Sequence, residues 1–134
     1  MPKLNHIAVL VEDVDSASQL FSKIWGLEPT HVITVDSQGV RTATYEFDNI
    51  MVELMEPYGD ESPVARSLAK RGPGIHHMAV EVDDVASRMK ALKDMGLRFT
   101  SEEPSTGVGG ARICFLHPKG TYGILTELVQ PAEE

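Results

Sequence analysis

"NHIAVLVEDV" spans Asn5–Val14, and "HHMAVEVDDV" spans His76–Val85. The second stretch repeats the first, with His6 matched to His77 and Ala8 to Ala79 at one offset of 71 residues. Repetition at a fixed period reports a structural unit used more than once. The match continues outward. "DSASQLFSKIWG" follows the first stretch and closes at Gly26, and "ASRMKALKDMG" follows the second and closes at Gly96. Farther on, "IMVELMEP" carries Glu53 and "GILTELVQP" carries Glu127, at an offset of 74 residues.

Each half reads as β-α-β-β-β. Residues 4–11 are apolar and β-branched, the composition of a strand. Asp13 and Asp15 stand at the mouth of the next helix, where they cap it and complement its dipole. Ala17, Leu20, Phe21 and Ile24 then recur at helical spacing, Trp25 reads as core, and Gly26 is a C-terminal stop. Strands are expected near 30–35, 39–47 and 50–56, the last two joined by the Asp48–Asn49 turn. The linker "PYGDESPVARSLAKRGPG" holds a short helix, capped by Ser62, opened by Pro63 and closed by Gly72. The second half repeats the order: strand 76–82, helix 84–95, and strands near 97–101, 111–116 and 122–129. The expected fold is α+β, a single domain over 1–134. Module one covers 1–57, the linker 58–73 and module two 74–134.

Composition narrows the functional classes. The 134 residues suffice for one compact domain with a real core, and 42% hydrophobic content is ordinary for a globular chain. No apolar run approaches the roughly 18 residues of a membrane span. The acidic turn of "MPKLNHIAVLVEDVD" does not read as a secretory leader. The single cysteine, Cys114, forms no intrachain disulfide, so a reducing cytoplasm is the simplest setting, and a buried structural thiol is its expected state. A net charge of −8 argues against a nucleic-acid partner, though a local basic cluster still admits an anionic small molecule.

Strand alternation sorts the histidines. Ile7, Val9 and Val11 share the face that packs on helices, and His6, Ala8 and Leu10 share the other. In the second half His76, Met78, Val80 and Val82 take the helix face, and His77, Ala79 and Glu81 the opposite one. His77, not His76, is therefore the partner of His6. Each inward histidine is followed two residues later by an alanine, which leaves room beside the imidazole. Glu53 and Glu127 lie among apolar neighbours, where a carboxylate is expensive unless paired or metal-bound. Singly, each of the four reads as ordinary structure. Placed together by a repeat, His6, Glu53, His77 and Glu127 read as donors to one divalent metal. Their mixed nitrogen and oxygen set suits Zn, Co, Ni, Mn or Fe.

These residues resemble the vicinal oxygen chelate superfamily (glyoxalase, bleomycin resistance and dioxygenase proteins), and within it the methylmalonyl-CoA epimerase family. The resemblance runs nearly the full length through "LNHIAV", "VELMEP", "ESPVARSLAKRGPGIHHMAVEV" and "FLHPKGTYGILTEL". It implies two βαβββ modules forming a cupped mixed sheet around a metal, with His6, Glu53, His77 and Glu127 as ligands. It also implies a metal-dependent epimerase that abstracts the C2 proton of methylmalonyl-CoA through a metal-stabilised enolate. The resemblance makes Glu127 one acid/base. The family's second is a glutamate in a segment that here reads "DSQGV", with Ser37 in its place. Asp36 next to it, or Ser37 relaying through water, are the available substitutes, and a different substrate is the third reading.

The resemblance implies further contacts. The glycine-rich "STGVGGARICFLHPKG" lines the substrate cleft, with Arg112 and Lys119 as contacts for CoA phosphates and Gln38, Thr44 and Tyr122 along the pocket. His76 is expected to be structural, and His31 and His117 to be surface or loop residues. An acyl-CoA partner and a homodimer follow from the same likeness, and composition gives no expectation of a membrane or nucleic-acid partner. The competing functions are a glyoxalase I-type lactoylglutathione lyase, an epimerase or isomerase of another acyl-CoA, and a sequestering binder. A ring-cleaving dioxygenase fits less well, because a fourth ligand candidate, Glu53, is present.

Overall fold

A computed structural model describes residues 2–59 and 61–133; Met1, Glu134 and the linker residue Asp60 lie outside it. Its elements are β1 (Lys3–Leu10), α1 (Val14–Trp25), β2 (His31–Val35), β3 (Val40–Glu46), β4 (Met51–Pro57), α2 (Pro63–Arg71), β5 (Gly74–Glu81), α3 (Val85–Asp94), β6 (Ser105–Thr106), β7 (Arg112–Leu116) and β8 (Thr126–Gln130). The class is α+β. The chain divides into two compact units, one over His6–His76 and one over residues 2–5 and 77–133.

In the first unit the strand order is β2-β3-β4-β1, with β1 and β4 parallel and the other neighbours antiparallel. Helix α1 covers one face. Asp13 caps it by accepting from the Asp15 and Ser16 amides, and Gly26 ends it with φ 63. Its buried stripe is Val14, Ala17, Phe21 and Trp25, packed on Val9, Val11, Ala43, Tyr45 and Leu54. The expected face included Leu20 and Ile24, but these are 55% and 62% exposed. The aromatic residues decide the rotation. Trp25 stacks on Phe21 at 4.6 Å and meets Tyr45 and Phe47 edge-on at 5.1 and 5.2 Å. Turning that cluster onto the sheet swings positions one residue away by about 100° toward solvent. The opposite face of the sheet packs Ala8, Leu10, Val40 and Met55 against Val64 and Leu68 of α2.

One local expectation changes. Ser62 stands at the N-cap of α2 but makes no capping bond; its hydroxyl donates to the Gly39 carbonyl at 2.5 Å. That bond, with Tyr58 N donating to the same carbonyl at 2.8 Å, clamps the β2–β3 turn against the start of α2. The turn itself is a 3-10 turn over Asp36–Gln38 that closes on Gly39 at φ 65.

The second unit repeats the design with the order β5-β8-β7-β6. Parallel β5 and β8 match Ala79 to Glu127, as β1 and β4 match Ala8 to Glu53. Helix α3 packs Val85, Met89 and Leu92 on Val80, Val82, Cys114, Leu116 and Leu128. Its N-cap, Asp84, has its carboxyl pKa held below the ordinary carboxylate value first by the Ser87 amide, then by the Ser87 hydroxyl, with Arg112 adding a weaker attraction. The strand expected at 97–101 shrinks to a single bridge, Phe99 to Leu116, and β6 forms later at Ser105–Thr106. The intervening "SEEP" bends away, and Pro104 has no amide to donate. The strand expected at 122–129 begins only at Thr126, because residues 118–123 form a 3-10 turn and a tight loop with Gly123 at φ 82.

Candidate metal centre and active site

Each unit carries one histidine and one glutamate on the sheet face away from its first helix. In the second unit they touch. His77 Nε2 lies 2.9 Å from Glu127 Oε1, with the two residues 6% and 5% exposed. Phe115 meets the His77 ring edge-on at 5.2 Å, and Ala79, beside Glu127 in the register, is fully buried. A carboxylate and an imidazole this dry need each other or a cation. The nitrogen and oxygen donors they present fit a borderline divalent ion.

The first unit presents the same positions. His6 is buried, and Glu53, half-buried, lies beside Ala8. The antiparallel neighbour of Glu53 is Thr44, whereas that of Glu127 is Phe115. The two carboxylates therefore sit in matched geometry but contrasting surroundings, a hydroxyl beside one and an aromatic ring beside the other. Beyond Thr44 the row ends at His31, which opens β2 on the same face and is exposed, the surface position expected of it.

The other candidate residues lie in two turns and at the start of β7. Asp36 and Ser37 are exposed in the β2–β3 turn, with Gln38 half-buried behind them. Lys119 is exposed in the 3-10 turn after β7, where its amide donates to His117 Nδ1 at 3.2 Å. Tyr122 is 99% exposed. Arg112 shares the β7 parity of Cys114 and Leu116, so it belongs to the helix side of its sheet and not to the face of His77 and Glu127. Cys114 is buried, its thiol pushed up to about 11 by burial and then by the Glu127 charge.

One pair of residues had no place in the sequence reading. Glu56 Oε1 accepts from the Val14 amide at 2.8 Å, and Gln130 Oε1 accepts from the Val85 amide at 3.0 Å. In both units the residue three beyond the glutamate thus ties the last strand to the start of the first helix. The signal was present as "ELMEP" and "ELVQP", a carboxylate or amide before proline at matched positions.

The glyoxalase/bleomycin resistance protein/dioxygenase superfamily model matches residues 5–115. The chain belongs to that superfamily. It is 35% identical over 129 residues to mouse mitochondrial methylmalonyl-CoA epimerase, covering 96% of this chain and 72% of the relative. It is 36% identical to the ethylmalonyl-CoA/methylmalonyl-CoA epimerase of Cereibacter sphaeroides, covering 96% and 97%. Among solved structures, Streptomyces coelicolor methylmalonyl-CoA epimerase in complex with 2-nitronate-propionyl-CoA superimposes with a TM-score of 0.91, at 36% identity over 98% of both chains. No helix among the described residues is long and apolar enough to cross a membrane.

Proposed function

We propose that the chain is a metal-dependent epimerase of methylmalonyl-CoA, with His6, Glu53, His77 and Glu127 around one divalent ion. The observation that carries the reading is the buried His77–Glu127 pair, 2.9 Å apart, whose positions recur as His6 and Glu53 in the other unit. Similarity to epimerases of malonyl-type thioesters over nearly the whole chain supports the substrate class.

The C2 hydrogen of methylmalonyl-CoA lies between a thioester and a carboxylate, which makes it acidic. His6, Glu53, His77 and Glu127 would hold a Zn, Co, Ni, Mn or Fe ion, which would supply Lewis acidity for the negative charge that develops when C2 loses its proton. Glu127 accepts that proton on one face of C2, and its apolar neighbours Phe115 and Ala79 keep bulk water from competing. Inversion requires a proton from the other face. The β2–β3 turn supplies Asp36, or Ser37 acting through water. The clamp at Gly39 fixes the trailing end of that turn. Gln38, Lys119 and Tyr122 are contacts for the acyl-CoA. Arg112, on the helix side of its sheet, contacts it only if the CoA arm passes the sheet edge. A homodimer in the cytoplasm completes the proposal.

The test is proton NMR of methylmalonyl-CoA in heavy water with metal-loaded and chelator-treated protein. Metal-dependent loss of the C2 proton signal well above the spontaneous rate is the expected result. Absence of exchange with metal bound overturns the reading and shifts it to a glyoxalase I-type lyase or another acyl-CoA.

A further inference from the structure

Among the described residues Tyr122 is the only non-glycine with a left-handed backbone, at φ 57, and its side chain is 99% exposed. A bulky residue in that conformation is strained, and such strain persists only where surrounding structure imposes it. The loop does impose it. Gly123 N and Thr121 N both donate to the Pro118 carbonyl, at 2.7 and 3.1 Å. Ile124 N donates to the Thr121 carbonyl at 3.0 Å, and Thr121 Oγ1 donates back to the Ile124 carbonyl at 2.5 Å. The ring is therefore held out by a hydrogen-bonded loop. Being fully exposed, it adds nothing to the fold by burial, and glycine at this position would remove the strain.

The place of the loop is informative. It leads directly into β8, and the Leu125 carbonyl accepts from Met78 N at 3.3 Å, one residue from His77. Tyr122 thus stands at the His77 end of the second unit's sheet. Lys119, exposed on the same loop three residues earlier, adds a compact cation. An aromatic ring with both faces open matches a flat π-system, and a neighbouring ammonium matches a phosphate.

We propose that Tyr122 is a stacking platform for the adenine base of the acyl-CoA, with Lys119 beside it for a phosphate of the same nucleotide. The inference rests on the acyl-CoA reading above. The pantetheine arm has no π-face and does not need such a ring, whereas stacking on an aromatic side chain is a common means of holding a nucleobase.

The experiment measures binding of CoA and of 4′-phosphopantetheine, neither of which turns over, to the full chain and to Tyr122→Gly and Tyr122→Trp by calorimetry. Tyr122→Gly is expected to weaken CoA about tenfold and to leave 4′-phosphopantetheine within about twofold, the range of one lost base stack. It is also expected to melt higher than the wild type, because the left-handed strain is released. Tyr122→Trp is expected to retain CoA affinity, with the adenine H2 and H8 resonances moving upfield as in the wild type. Unchanged CoA affinity in Tyr122→Gly, or equal weakening of both ligands, overturns the stacking role and leaves the acyl-CoA reading intact. Failure of the wild type to bind CoA overturns both.

Discussion

Consider His77→Ala. The imidazole it removes is 6% exposed and lies 2.9 Å from the Glu127 carboxylate, itself 5% exposed. Removing one partner of a buried ion pair typically costs about 3–5 kcal/mol, far more than a surface pair is worth. For 134 residues at about 2.1 cal/mol/K each, the unfolding entropy is roughly 0.28 kcal/mol/K, so melting falls by roughly 10–18 °C. That drop is expected whether or not a metal is bound. The metal reading adds a second, separable shift. An ion present at 100 times its dissociation constant stabilises the folded chain by about 2.7 kcal/mol, or roughly 10 °C here. The assay is scanning calorimetry of wild type and His77→Ala with metal and with chelator, together with metal content after dialysis. Wild type should lose the second shift on chelation, and the variant should show none. If His77→Ala keeps full metal content and the same chelator response, His77 is no ligand and the reasoning is refuted. If neither protein responds to chelator, the pair is only a structural ion pair.

Gly39→Ala should destabilise by about 2 kcal/mol in urea unfolding, because its Cβ would lie 2.9 Å from Ser62 Cα at a φ of 65; an unchanged midpoint would show that the clamp is slack. Cys114 should resist alkylation at pH 8 in the folded protein and react in denaturant. Its thiol rises from an ordinary 9.0 to about 11, so the folded state holds a proton that the unfolded chain releases, and stability should decline as pH rises through that window; rapid labelling of the native protein would contradict the burial argument. Asp36→Asn should lower the rate of epimerisation at least tenfold while leaving C2 exchange from the Glu127 face in place, and Ser37→Glu should raise epimerisation, as placement of an acid/base on the second face requires. Wild-type epimerisation in Asp36→Asn would remove Asp36 from the reaction.

Much of the architecture was legible because local pattern and tertiary arrangement agree. Asp13 and Gly26 bound α1 as a cap and a left-handed stop should, and the alternation around His6 and His77 sorted both strands into the faces observed. The failures share a cause. Leu20 and Ile24 fit an amphipathic stripe as well as Phe21 does, and only the packing of Trp25 among Phe21, Tyr45 and Phe47 chose the rotation. Ser62 has the composition of a cap, yet its hydroxyl found a carbonyl 23 residues away.

The sequence by itself determined the doubled βαβββ unit and the pairing of His6 with His77 and of Glu53 with Glu127, because periodicity and repetition are properties of the chain read locally. Only the tertiary structure decided the distance between His77 and Glu127, the contrast of Thr44 with Phe115, the fastening of both helices by Glu56 and Gln130, and the presentation of Tyr122. Each depends on strand register or on a hydrogen bond between residues distant in sequence, and long-range partners leave no periodic trace in the sequence itself.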